Sequence, residues 1–153
     1  MPNETPTIHV PVMRLPGNDD VPLPDYQTEH AAGMDLHATV DGSITIPPGE
    51  IRMIPCGFAM AVPVGFEAQV RPRSGLAAKF GISMPNAPGT IDADYRGEVM
   101  VPLINHGTQP FDVTRTMRIA QMIIKPVPRT QWVEVTELPP TERGAGGFGH
   151  TGR

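Results

Sequence analysis

Proline recurs along the whole chain and constrains its fold more than any other feature. There are 19 prolines among 153 residues, and the longest stretches free of them run Asp25 to Ile46 and Phe111 to Lys125. A proline inside a helix removes a hydrogen bond and clashes with the preceding turn, costing about 3 kcal/mol. A helix bundle or coiled coil is therefore excluded. Disorder is the other state proline favours, but it needs few apolar residues and a high net charge. Here 39% of residues are apolar and the net charge is −4. A small, loop-rich β domain remains.

Short β-branched runs bounded by Pro or Gly read as strands of an antiparallel sandwich or barrel. They are Ile8 to Leu15, Met34 to Val40, Ser43 to Ile46 and Ile51 to Val62, the last bent near Pro55-Cys56-Gly57. Phe66 to Arg71, Gly97 to Asn105, Phe111 to Val113, Arg118 to Val127 and Trp132 to Leu138 complete the set. Ser74 to Gly81 is the helical exception, with Ser74 as N-cap, Lys79 late and Gly81 as the stop. The expected fold is all-β, with one short helix near residues 75–80. With 5 Phe, 2 Tyr and 1 Trp, the core has to be aliphatic. Residues 1–140 are expected to form a single β domain. Arg143 to Arg153 is nearly half glycine, and residues 141–153 read as a mobile tail, either a frayed terminus or a flap over a ligand.

Cys56 is the sole cysteine, so no intrachain disulfide forms and a reducing compartment is expected. No apolar run approaches the roughly 20 residues that cross a bilayer. The start Met1-Pro-Asn-Glu-Thr-Pro6 lacks the basic and apolar pattern of a signal peptide. The cytoplasm is the expected location. The acidic balance argues against a polymeric nucleic acid or a membrane surface as partner. Yet the cations are 10 Arg to 2 Lys, and Arg grips phosphate with a planar fork of donors. Arg71 and Arg73, Arg115 and Arg118, and Arg143 among glycines fit that use or plain solvated surface charge.

Arg73-Ser74-Gly75 opens the helical segment, where unpaired N–H groups can receive an anion; alone, it reads more simply as a capped surface helix with an incidental Arg. Asp92 and Asp94 lie in a glycine-bounded turn followed by Tyr95. One Asp could orient a water as general base and the Tyr could support a sugar or base, but paired Asp also simply form turns. The five histidines show no metal-ligand spacing, and no nucleophile elbow or P-loop is present.

Five segments in order resemble the trimeric dUTP pyrophosphatase (dUTPase) family: Ala32-Gly-Met-Asp-Leu36, Arg71-Pro-Arg-Ser-Gly75, Asn86 to Glu98, Arg118-Ile-Ala-Gln121 and Arg143 to Gly149. The resemblance implies a jelly-roll-like subunit, a homotrimer with shared active sites, and hydrolysis of dUTP to dUMP and pyrophosphate. It makes Asp92 the base that deprotonates the water attacking the α-phosphorus. It places Tyr95 beneath the deoxyribose, and gives the uracil edge to Asn86, to backbone of Gly89, Thr90, Ile91 and Asp92, and to Met100. Arg73, Ser74, Gly75 and Gln121 are implied to hold the phosphates, and Asp35 to support the site through water. In the tail, Phe148, followed by Gly149, would stack on uracil while Arg143 reaches the γ-phosphate. The implied cofactor is Mg²⁺, held mainly by the triphosphate and water with no protein ligand cluster.

Three positions depart from the usual pattern: Ala31-Ala32 ahead of Gly33, Thr116-Met117 ahead of Arg118 where Gly and an acid are common, and His150 in the tail. The rival readings are a dCTP deaminase-like enzyme, which needs an acid/base for an exocyclic amine, and a non-catalytic jelly-roll binding protein.

Overall fold

The structure is a computed structural model and describes residues 6–152. The start Met1–Thr5 and the final tail residue Arg153 lie outside the described residues. The described residues form eleven strands and one helix: β1 Val12–Arg14, β2 Met34–His37, β3 Ser43–Ile46, β4 Ile51–Pro55, β5 Phe58–Met60, β6 Phe66–Pro72, α1 Ser74–Phe80, β7 Ile82–Ser83, β8 Gly89–Ile91, β9 Met100–Asn105, β10 Phe111–Thr114 and β11 Arg118–Pro126. The fold is all-β and jelly-roll-like, with every strand pair antiparallel. The main sheet runs β2-β11-β6-β8, a second runs β4-β9-β7, and β1-β5 and β3-β10 form two-stranded pairs.

Turn chemistry accounts for most boundaries. The expected long strand over Ile51 to Val62 divides into β4 and β5 at Gly57, whose φ of 70° few side-chain-bearing residues adopt. The helix ends at Gly81, in the left-handed conformation with its N–H returned to the Ala77 carbonyl. Ser74 is not the N-cap. Arg73 holds that position in extended geometry, without a side-chain cap, and Ser74 is the first helical residue. The side chain of Ser74 is therefore free of that duty and lines a cavity.

The core is aliphatic, as the composition required. Leu36, Ile46, Ile54, Ile82, Val101, Leu103 and Ile119 are buried, and Phe58 is the one buried aromatic among the described residues. Asn105 is also fully buried and satisfied: Nδ2 donates to the Ile46 and Gln109 carbonyls, and Oδ1 accepts from Gly107 N–H.

The expected strand over Trp132 to Leu138 does not form. Trp132 is 90% exposed, and Val133, Val135 and Leu138 are exposed too, with no strand paired to them among the described residues. The run has strand-like residues, but no described edge strand lies alongside to pair with it. The short strands β7 and β8, by contrast, were not expected, being too short to show periodicity.

Candidate active site

The main sheet aligns residues that are far apart in sequence. Asp35 lies opposite Gln121, and Gln121 opposite Arg71, so three strands contribute one row on one face. Leu36, Ala120, Met122 and Val70 point the other way into the core. Arg118 joins the polar row only because β11 is irregular. Residues 118 and 121 are an odd number apart, so a regular strand would send them to opposite faces. The register shift between Arg118 and Ala120 inserts one residue and re-aims Arg118. Its Nη1 then meets Asp35 Oδ2 at 3.1 Å.

Asp35 stands between two guanidinium groups, since Arg73 Nε lies 3.5 Å from its Oδ1. Arg73 Nη1 also donates to the Arg118 carbonyl at 3.2 Å, which fixes the second arginine. Two cations against one carboxylate leave a surplus positive charge facing a cavity of about 260 Å³. Ser74, Gly75, Gln121, Gly33 and Gln27 line the same cavity. Gln121 Nε2 donates to the Pro72 carbonyl at 3.1 Å, holding its amide across the mouth. A Cβ on Gly75 would meet nothing within 4 Å among the described residues, so their packing does not explain the glycine. His37, buried on the same strand, has its Nδ1 without a partner among the described residues; burial lowers its pKa from the ordinary value.

The second half of the site lies one strand away. Gly89 of β8 pairs with Val70 of β6, and β6 runs on to Arg73 at the cavity. Asn86 sits beside Gly89, its Nδ2 3.5 Å from where a Gly89 Cβ would stand. β8 is the edge of its sheet, so half the backbone groups of Gly89, Thr90 and Ile91 have no strand partner. From Ile91 the chain crosses to the second sheet at Met100, carrying Asp92 and Tyr95 on an exposed connection. The Asp92 carboxylate makes no hydrogen bond or ion pair within the described residues, while its carbonyl accepts the Tyr95 N–H at 3.2 Å.

Asp35, Arg73, Ser74, Gly75 and Gln121 thus share one cavity, and Asn86 meets the β8 edge. Arg143, Phe148 and Gly149 join neither group: Arg143 bonds the Gly146 carbonyl in its own turn, and Phe148 is wholly exposed. Gly33, which carried no assigned role, and Arg118, named only among arginines suited to phosphate or to plain surface charge, both line the cavity. The odd spacing of Arg118 from Gln121 hid that the two share a face. The Thr116-Met117 departure also resolves: Thr116 takes φ 68°, the left-handed geometry that glycine would supply. Cys56 is buried at the β4–β5 bend, and burial pushes its thiol up to about 12. No helix among the described residues is long and apolar enough to cross a membrane.

A family model for dUTPase matches residues 19–152. A deoxyuridine 5'-triphosphate nucleotidohydrolase of Desulfotalea psychrophila is 62% identical over 130 residues, 85% of this chain and 87% of the relative. Among solved structures, a mutant dUTPase of Staphylococcus bacteriophage 80alpha with dUpNHpp gives a TM-score of 0.85 at 22% identity, over 96% of this chain and all of that one. A mutant dUTPase of S. aureus phage phi11, described with a structural Mg(II) ion, gives 0.74 at 19% identity over 85% and 98% of the two chains. Those two bear on the fold; the sequence matches bear on the family. By the match across nearly its whole length, and by the cluster those matched residues build, the chain belongs to the dUTPase family.

Proposed function

We propose that this protein hydrolyses dUTP to dUMP and pyrophosphate. The observation that carries the proposal is the cationic cavity around Asp35, Arg73, Arg118 and Gln121, joined by β6 to the unpaired edge of β8. A triphosphate fits the first part and a base the second. Arg73, Ser74, Gly75 and Gln121 hold phosphate oxygens. Asn86, the β8 edge and backbone at Met100 read the uracil, whose acceptor pattern a fixed row of backbone groups separates from that of cytosine.

Asp92 orients a water and takes its proton as the oxygen bonds to the α-phosphorus. The bond from that phosphorus to the bridging oxygen breaks, and pyrophosphate leaves with the electron pair. Tyr95 lies beneath the deoxyribose and leaves no room for a 2′-hydroxyl. The tail, 141–153, closes over the nucleotide with Phe148 on uracil and Arg143 at the γ-phosphate, excluding water.

The donor set suits Mg²⁺ carried by the substrate: no three His, Cys, Asp or Glu converge among the described residues, and both Asp35 oxygens face arginines. When bound, Mg²⁺ neutralises charge on the triphosphate. Asp35 keeps the arginines in place beside it.

A homotrimer with shared sites accounts for the unpaired segment around Trp132, which a lone subunit would expose. An apolar groove of about 700 Å³ bordered by Val10, Val12, Leu23, Met60 and Ile124 has the character to receive such a segment from another copy. The single, buried Cys56 suits the reducing cytoplasm. The test is pyrophosphate release from dUTP beside dTTP, dCTP and UTP, with Asp92→Asn alongside. Release from dUTP that Asp92→Asn abolishes, with nucleotide binding retained, is the expected result. Full activity in that variant overturns the base, and ammonia release from dCTP overturns the substrate.

A further inference from the structure

Tyr95 stands on an exposed connection and is 46% exposed, so the core does not fix its ring. Two neighbours do. The ring lies directly over Gly97: a Cβ there would fall 2.5 Å from the Tyr95 hydroxyl oxygen and 2.7 Å from the ring carbon that bears it. Gly97 has no left-handed φ that would call for glycine, and among the described residues the tyrosine ring is what a side chain there would meet first. The hydroxyl in turn donates to the Glu98 carbonyl at 2.9 Å.

Glu98 is itself anchored. Its carboxylate accepts the Gly57 N–H at 3.0 Å, at the bend between β4 and β5. The next residue, Val99, is buried and exchanges backbone bonds with the same bend, donating to Phe58 at 2.9 Å and accepting from Cys56 at 3.0 Å. The Tyr95 ring therefore rests on a glycine surface and is tied through Glu98 to the rigid second sheet.

We propose that Gly97 and Glu98 are positioning residues that set the sugar selectivity of the site by fixing the Tyr95 ring. This rests on Tyr95 lying beneath the deoxyribose. A surface that tells a hydrogen from a hydroxyl has to be held within a fraction of an ångström, because one added hydroxyl is otherwise only weakly rejected. A Cβ at Gly97 displaces the ring by about 1 Å from ordinary contact, and an error of that size costs on the order of 100-fold at a fitted site. The loss falls mainly on dUTP, since UTP already lacks the fit.

The experiment measures kcat/KM for dUTP and for UTP, with thermal melting as a check on folding. Gly97→Ala is expected to lower the dUTP-to-UTP ratio at least about tenfold while the melting transition stays cooperative. Glu98→Ala is expected to lower the ratio as well, and Glu98→Gln, which keeps an acceptor for Gly57, to restore it. In a Tyr95→Ala background, Gly97→Ala is expected to change nothing further. If Tyr95→Ala leaves the ratio unchanged, the placement of Tyr95 fails and the proposal with it. If Tyr95→Ala lowers the ratio but Gly97→Ala and Glu98→Ala do not, the placement stands and the proposal is overturned.

Discussion

Gly33→Ala should disturb the cavity around Asp35 and Gln121 while sparing the fold. Gly33 precedes β2 at the cavity, and a Cβ there would lie 2.7 Å from Gln121 Oε1 and 3.4 Å from Gln121 Cβ. Ordinary contact is about 3.5 Å, so the amide has to retreat by about 0.8 Å. Its hydrogen bond to the Pro72 carbonyl, 3.1 Å in the native chain, goes with it. Losing one such bond costs about 1 kcal/mol, which lowers Tm by about 2–4 °C in a domain of this size. If Gln121 holds a phosphate oxygen, transition-state binding loses a charged hydrogen bond worth about 1.5–3 kcal/mol. That is a fall of about 10- to 100-fold in kcat/KM. The assay is pyrophosphate release from dUTP for the four proteins of a cycle: native, Gly33→Ala, Gln121→Ala and the double variant. The effect of Gly33→Ala is expected to vanish once Gln121 is alanine. An equal loss in both backgrounds would refute the reasoning.

Thr116→Gly should stabilise the protein. A β-branched residue at φ 68° bears about 1–2 kcal/mol of strain, of which glycine's unfolded-state entropy returns about 0.5–1 kcal/mol. Calorimetry is expected to show Tm raised by about 1–4 °C; a fall would mean the Thr116 side chain contributes more than it strains. Asp20 predicts a pH effect. The side-chain hydrogen bond from Arg115, 2.7 Å away, pulls its carboxyl down to about 2. Unfolded Asp titrates near 3.9, so the unfolded chain binds more protons in the interval between the two. The contribution of Asp20 is then complete above the unfolded value and drains away as pH falls towards 2. Denaturant midpoints from pH 5 down to pH 2 are expected to show a shallower loss in Asp20→Asn than in the native protein. Parallel curves would count against the pair.

Local chemistry was legible in the sequence. Proline spacing excluded long helices, Gly81 marked the helix stop, Pro55-Cys56-Gly57 marked the β4–β5 bend, and the scarcity of aromatics required an aliphatic core. Residue type singled out Arg73 at the start of the helical segment, whereas Asp35 and Gln121 were legible only through the resemblance to a family. Three things were decided only by the tertiary structure, and all three are non-local. Arg118 faces Asp35 through an irregularity in β11, and strict alternation forbids that reading of the strand from its sequence. Trp132 to Leu138 reads as a strand by its residues, yet pairing needs an edge strand alongside, and no described strand lies there. Tyr95 owes its place to Gly97 beneath it and to a tie through Glu98 to a bend some forty residues earlier. Periodicity and turn signals are properties of a few neighbouring residues, whereas register and support depend on which distant strands meet.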